Sequence, residues 1–332
     1  MSGILVAMQG AVAQGVLWGI MVLGVYITYR LLDIADLTVD GSFALGGCVC
    51  ATLIINFDLD PLAALLLSML AGMAAGAVTG ILHTVLEIPA ILAGILTQIS
   101  LWSINLRIMS GKSNLPLLKL KTLISSVGDS LGITQAQASI LVGVAAAVLI
   151  VAVLYWFFGT EIGSALRATG NNEDMIRALG VNVKRMKLLG LMLSNGLVGL
   201  SGALVCQHQK YADINMGRGA IVIGLAAIVI GVVLMGRLIN FACKLSSGGV
   251  GAVIYFLIRA LVLRVGLETN DMNLFTAVFV AFSLSVPVLL GKWRARMEYS
   301  ETGEEDSICL RSPMYEKHSI KEPSMRKRPS AV

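Results

Sequence analysis

Three aspartates close together near the N-terminus are the first residues whose type and spacing suggest chemistry. Asp33, Asp36 and Asp40 lie in the stretch 32–42, which leads into a glycine-rich apolar segment. Carboxylates inside a membrane are usually functional, and irregular backbone there is tolerated only beside protein or a water-filled cavity. Two interpretations stay open. Asp36, Thr38 and Asp40 cap the next helix in a loop, or the stretch shapes a polar path or its gate.

Isolated polar side chains inside apolar runs extend this set. Ser42, Gln98 and Asn195 each lie within or beside a long apolar stretch. Hydrogen bonds between helices explain such residues, and lining of a translocation path is the sharper alternative. The candidate path residues are therefore Asp36, Thr38, Asp40, Ser42, Gln98 and Asn195.

The charged segment 159–187 has the pattern of two short helices. The first is predicted from Glu161 to about Thr169, where Gly170 would stop it. The second has Asn171 or Asn172 as its N-cap, acidic residues in its first turn, and Gly180 just past its end.

The second predicted helix is amphipathic. Met175, Ile176 and Leu179 are spaced by three and four residues and fall on one face. Such a helix has an apolar face to bury, either at a membrane interface or in a partner protein. The alternative interpretation is that this helix lies at the membrane interface and only connects two spans.

Composition determines the class of protein that carries these residues. Hydrophobic residues make up 56% of the 332 residues, charged residues only 14%, and the mean hydropathy is +0.82. A soluble domain carries about 25% charged residues. The chain is therefore predicted to be an all-α polytopic membrane protein. Residues 1–291 form its transmembrane domain, and 292–332, rich in charge, Ser and Pro, form a charged tail expected to be disordered.

The apolar runs give the span count. A helix needs about 20 apolar residues to cross the hydrocarbon core. About nine runs qualify, within a range of eight to ten, and the second is short and broken by glycine. They are 4–29, 41–57, 61–86, 88–105, 139–158, 188–206, 220–235, 249–265 and 274–290.

Basic residues predict the orientation. Segment 159–187 carries five Lys and Arg residues between two spans and is expected in the cytoplasm. Counting spans from there places the C-terminal tail in the cytoplasm, and nine spans place the N-terminus outside.

Several chemistries are excluded by what the sequence lacks. Its five cysteines have no metal-ligand spacing with histidines, and a net charge of +5 spread over span ends does not indicate a nucleic-acid partner. The sequence contains no phosphate-binding motif G-x-x-x-x-G-K-[ST]. Energy for transport must therefore come from a partner or from an ion gradient, and no metal or cofactor is expected on this chain.

Two motifs in the correct order resemble one transporter family. The first is the stretch 24–47, GVYITYRLLDIADLTVDGSFALGG. The second is ALRATGNN at 165–172, followed by ALGVN at 178–182 and Ser194-Asn195. Both are similar to the permease subunits of ABC importers of the branched-chain amino acid and ribose type, and most similar to the tryptophan/tyrosine-type branch. The resemblance covers about residues 10–290.

The resemblance implies a division of labour. Two permease copies, a homodimer or a paralogous pair, form the path, and two ABC ATPase subunits carry ATP and Mg²⁺. An extracytoplasmic solute-binding protein delivers the solute, for which amino acids, aromatic ones among them, are the first guess and sugars or nucleosides the next. The chain would lie in the bacterial inner membrane. Residues 159–187 would be the coupling segment that seats in the ATPase. Its contact residues would be Glu161, Arg167, Asn172, Glu173, Asp174, Met175, Arg177, Leu179 and Gly180.

Two other classes compete with this reading. An ion-coupled secondary transporter would need ionisable residues at mid-membrane, and the spans are nearly free of Asp and Glu. A membrane enzyme would need clustered His, Asp or Glu at one face, and only Asp33 to Asp40 approach that.

Arg259, near the predicted outer end of the eighth run, either snorkels to the interface or contacts a docked binding protein.

Overall fold

The architecture comes from a computed structural model that describes residues 2–118, 120–235 and 241–264, together with residues 274, 276–278, 280–282 and 285. The predicted ninth span, 274–290, and the tail 292–332 therefore lie wholly or mostly outside the described residues.

Helices account for nearly all of the described chain, which confirms the predicted fold class. Seven of them are long and apolar enough to cross a membrane, and Ala220–Met235 is a shorter apolar helix. The count of nine is therefore not confirmed. The helices are α1 (Ser2–Tyr26, continued by a π-helical turn, Ile27–Leu31), α2 (Thr38–Phe57), α3 (Pro61–Thr84), α4 (Ala90–Ile108), α5 (Leu123–Leu131), α6 (Gln135–Gly159), α7 (Glu161–Asn171), α8 (Glu173–Ala178), α9 (Val183–Gln209), α10 (Ala220–Met235) and α11 (Phe241–Arg264).

Three helices form the centre of the bundle. Helices α1, α2 and α9 are mostly buried, whereas α4 and α6 expose most of their apolar side chains. Leu149 and Trp156 on α6, for example, are exposed. In water such a surface would be unstable, so α4 and α6 are suited to face lipid.

Glycines allow the central helices to approach one another closely. A Cβ at Gly72 or Gly76 of α3 would overlap the backbone carbonyl oxygens of Asn195 and Leu191 on α9, and one at Gly202 would overlap that of Phe43 on α2. Lipid provides no hydrophobic drive for helix association, so close backbone packing through small residues takes its place. These glycines therefore allow the direct backbone contacts between α3 and α9 and between α2 and α9.

The two ends of the bundle differ. At the hairpin end, strand β1 (Asn114–Pro116) pairs antiparallel with β2 (Tyr211–Asp213), with Leu115 opposite Ala212. At the opposite end lie α7 and α8, which belong to the predicted coupling segment 159–187. Helix α1 ends there too, because Gly170 of α7 packs directly on Leu31.

Candidate functional site: a coupling segment and two polar cavities

The coupling segment has the two predicted helices, and side-chain caps define both. Thr160 Oγ1 accepts from the backbone N–H of Gly163 at 3.3 Å, and Asn172 Oδ1 accepts from the N–H of Met175 at 3.0 Å. Asn172 is therefore the N-cap of α8. Gly180, with φ of +81°, ends this short helix in the left-handed conformation that glycine adopts without steric cost.

The prediction that Gly170 stops the first helix is wrong. Helix α7 continues through Gly170 to Asn171. The glycine is needed for contact rather than for termination, because a Cβ there would overlap the carbonyl oxygen of Leu31 at the end of the π-helical turn. A close backbone approach and a helix stop both favour glycine, and the sequence alone does not distinguish them.

Most of the predicted contact residues of the coupling segment are exposed. The side chains of Met175 and Leu179 are 53% and 68% exposed, while Ile176, on the same predicted face, is buried against the rest of the chain. The predicted apolar face is thus divided, with Ile176 holding α8 in place. The other predicted contact residues are exposed, except Glu173, which is partly buried: Glu161, Arg167, Asn172, Asp174, Arg177 and Gly180.

An ion pair joins α8 of the coupling segment to the central helix α9. Glu173 of α8 pairs with Lys187, in the second turn of α9, whose side chain is largely buried. Gly170 links α7 to α1 in the same region. Displacement of the segment would therefore act directly on two of the three central helices.

Four of the candidate path residues lie in a buried hydrogen-bonded network. Asn195 donates from Nδ2 to Asp36 Oδ2 at 2.7 Å, and Ser42 donates to Asn195 Oδ1 at 2.7 Å. Asp36 Oδ1 also accepts from the N–H of Thr38 at 2.9 Å, at the start of α2. The hydroxyl of Thr38 bonds that of Thr79 on α3 at 2.7 Å. These side chains are buried among helices α2, α3 and α9.

This network fixes where α2 begins. Asn195 lies near the middle of α9, so residues 32–37 run from the end of α1 back into the bundle, and α2 starts about halfway along α9. The polar backbone of this return segment is satisfied partly by Asp36 and by the Ile34 N–H bond to the Thr28 carbonyl. Such irregular backbone requires a protein environment in a membrane.

Asp40 lies in the first turn of α2, but its side chain caps another helix, α10. Its carboxylate accepts from the backbone N–H groups of Gly219 at 3.0 Å and Ile221 at 2.9 Å. These groups form the N-terminus of α10, whose orphan N–H groups and positive dipole end favour an anion. Segment 214–219 therefore approaches α2 from the hairpin end, and α10 begins beside the first turn of α2.

Asp40 and Gln98, the remaining candidate path residues, share a cavity. This α2–α4 cavity, of about 600 Å³, lies between α2, α4 and segment 214–219, and Trp102, Asn105 and Arg218 also line it. Asn105 Oδ1 is buried and has no hydrogen-bond partner among the described residues. The predicted set is therefore divided between a buried network and a polar cavity.

A second polar cavity lies at the hairpin end. It measures about 820 Å³ and is bounded by α1, α11, strands β1 and β2, and segment 214–219. We call it the hairpin cavity. Asn215 and Arg218 line both cavities, so segment 214–219 separates them.

Trp18, Asp213 and Arg218 of the hairpin cavity were not identified from the sequence. Trp18 is an ordinary aromatic residue within an apolar run, and Asp213 and Arg218 stand in a short polar stretch between two runs. Residues 215–219 include two glycines and two polar side chains and precede a short apolar run. This pattern is the sequence signal that indicates a broken helix.

Comparison with known proteins gives a consistent result. Residues 7–284 match the family described as the permease component of branched-chain amino acid transport systems. The chain is 40% identical over 280 residues to a tyrosine transport system permease protein of Clostridioides difficile, covering 84% of this chain and 90% of that protein. It is 34% identical to an uncharacterized protein of Rickettsia prowazekii, covering 83% and 95%.

A more distant relative is named for a different solute. A ribose import permease of Escherichia coli is 26% identical over 242 residues, which cover 72% of this chain and 69% of that protein. No solved structure matches the chain.

Proposed function

The chain belongs to the family of permease components of branched-chain amino acid transport systems, and from that premise we propose that it forms the path of an ATP-driven importer of amino acids. In this proposal two copies of the chain pair in the bacterial inner membrane. A separate ABC ATPase, which itself carries ATP and Mg²⁺, docks on the coupling segment, and a solute-binding protein docks at the hairpin end. The coupling segment and the C-terminal tail then face the cytoplasm.

The observation that carries the proposal is the exposed tip of the coupling segment. Met175 and Leu179 expose apolar side chains on a short capped helix, and charged residues such as Asp174 and Arg177 surround them. An apolar centre with a polar rim is the usual composition of a protein docking surface. Charges of both signs at the rim favour a polar groove of a protein over a lipid interface of one sign.

The attachment of the segment supports its role in transmitting motion. Gly170 packs on Leu31 of the α1 continuation, and Glu173 pairs with Lys187 of α9. Movement of the segment by an ATPase would shift α1 and α9 without first deforming a flexible linker. Packed helices respond by rigid-body movement rather than by continuous deformation.

The two cavities supply a path in this proposal. Solute enters the hairpin cavity, passes segment 214–219, and reaches the α2–α4 cavity beside Asp40 and Gln98. The buried network around Asp36 and Asn195 fixes the N-terminus of α2 against which segment 214–219 closes. The 40% identity to a tyrosine permease favours an aromatic amino acid as the solute.

The proposal is tested by a charge reversal in the coupling segment. Arg177→Glu is expected to reduce co-purification of the ATPase and amino acid uptake together, since it inverts one charge of the docking rim. Arg107→Glu, an exposed arginine in the last turn of α4, is the matched control. The amount of each variant in the membrane is measured in parallel.

The outcomes separate clearly. Loss of ATPase association with R177E and its retention with R107E support the proposal. Normal association and uptake with R177E contradict the placement of the ATPase. Uptake that is abolished by a protonophore but unaffected by ATP depletion would contradict the importer itself.

A further inference from the structure

The hairpin cavity has the size of a small-molecule site. Its volume of about 820 Å³ lies within the range of 300–1,000 Å³ usual for ligand pockets. Apolar walls from Val222 and Ile223 alternate with polar side chains from three separate parts of the chain. Such a mixture allows a ligand to bury its apolar part while polar groups orient it.

Two guanidinium groups border this cavity without a carboxylate partner. Neither Arg218 nor Arg259 has an Asp or Glu oxygen within 4.0 Å among the residues that the structure describes, where the ion pairs are Lys184–Glu87 and Lys187–Glu173. Arg259 is partly buried and lies over the ring of Phe256, 5.8 Å from its centroid. A planar guanidinium held in this way is suited to bind a carboxylate through two parallel hydrogen bonds.

One carboxylate of the chain lines the same cavity. Asp213 is held by the backbone N–H of Asn215 at 2.7 Å and by the side chain of Asn114 at 3.5 Å. Both contacts are neutral donors, so the negative charge of Asp213 is oriented but not neutralised. It is available to a cationic group of a ligand.

A buried donor provides an independent indication of a ligand. Trp18 lines the cavity and is only 5% exposed, and its Nε1–H has no acceptor among the described residues. Its ring is held by Phe43 and Phe256, with centroids 4.6 and 5.3 Å away. Since buried donors are nearly always satisfied, an orphan N–H at a cavity wall favours an acceptor supplied from the cavity.

We infer that the hairpin cavity binds a free zwitterionic α-amino acid. The guanidinium groups of Arg218 and Arg259 take its α-carboxylate, Asp213 takes its α-ammonium group, and the Trp18 N–H donates to a carboxylate oxygen. The apolar walls accept the amino acid side chain. This inference rests on the proposed function and adds the recognition chemistry of the solute within the permease.

An acidic side chain of a docked protein is the main competing occupant. It would satisfy an arginine, but it brings no ammonium group for Asp213. The combination of both charge signs with a buried N–H favours a small zwitterion. The protein alternative is kept as an outcome of the test.

The test uses the full chain in lipid nanodiscs, without ATPase or binding protein. Ligand-observed NMR measures the binding of L-tyrosine, with L-leucine as a second zwitterion. Tyramine lacks the carboxylate, 3-(4-hydroxyphenyl)propionate lacks the ammonium group, and ribose carries no charge. Both amino acids are expected to bind and to compete with each other, and the other three probes are expected to bind at least about tenfold more weakly.

Variants then assign the binding to this cavity. R259Q and R218Q are expected to weaken tyrosine binding about tenfold or more. Trp18→Phe removes the indole N–H but keeps an aromatic ring at this position, so it is expected to weaken tyrosine binding by several fold. Arg107→Gln, in the last turn of α4, is the matched control and is expected to bind normally. Trp18→Phe removes no hydrogen bond among the described residues, but the smaller ring leaves a void in the buried packing, so the thermal stability of the protein is expected to fall slightly.

Three results would overturn the inference. Equal binding of tyramine and tyrosine would exclude carboxylate recognition, and unchanged binding by R259Q and R218Q would place the site elsewhere. If these arginine variants lose only the association with a solute-binding protein, the cavity is a protein contact. All three results leave ATPase association and uptake by the wild-type chain intact, so they are distinguishable from failure of the proposed function.

Discussion

Replacement of Asn195 by alanine is expected to destabilise the bundle far more than the same change at Asn105. Both side chains are buried in helices, but only Asn195 donates to Asp36 and accepts from Ser42. Asn195→Ala removes the donor to Asp36 Oδ2 and the acceptor of the Ser42 hydroxyl, at about 1–3 kcal/mol each and more for a charged group. The free energy of unfolding should therefore fall by about 2–5 kcal/mol.

Asn105→Ala is the matched control because the Oδ1 of Asn105 has no partner among the described residues. Its removal abolishes no known hydrogen bond at that oxygen, so we expect a change of about 1 kcal/mol or less. Both variants are compared by denaturant titration in mixed micelles, with helical circular dichroism as the signal. Equal destabilisation of the two variants would refute the reasoning that the Asp36–Asn195–Ser42 network holds α2 in place.

Three further changes test separate contacts. Gly170→Ala places a Cβ against the Leu31 carbonyl oxygen, so uptake should fall while the ATPase still co-purifies. Gly180→Val forces a β-branched residue into a left-handed conformation, at about 1–2 kcal/mol, and should weaken ATPase binding, whereas Gly180→Asn should be tolerated. Asp40→Ala removes the acceptor at the N-terminus of α10, so hydrogen–deuterium exchange over residues 214–221 should accelerate, and an unchanged rate would contradict its capping role.

Local patterns allowed much of the fold to be predicted from the sequence. The Asn172 cap and the Gly180 helix end follow from short-range backbone chemistry, and the apolar runs follow from the thickness of a bilayer. The packing of Gly72 and Gly76 was also predictable, because small residues four apart lie on one helix face.

Long-range contacts explain what the sequence left open. One of the two interpretations of Asp40 was a cap on the helix that follows it, yet Asp40 accepts from the N–H groups of Gly219 and Ile221 at the start of α10, which are 179 and 181 positions away in the chain. The orphan N–H of Trp18 becomes visible only when α1 is packed against α2 and α11. Nothing in local sequence encodes such partners, since the helices that supply them are brought together by tertiary packing.

The contact between the coupling segment and the ATPase is tested most directly by site-specific photocrosslinking. A photoreactive phenylalanine replaces Leu179 at the tip of the segment, or Leu131 at the hairpin end as a control that is similarly exposed. In membranes that take up the amino acid, the ATPase should crosslink to position 179 and not to position 131. Crosslinking of the ATPase at 131, or its absence at 179 in active membranes, would contradict the account.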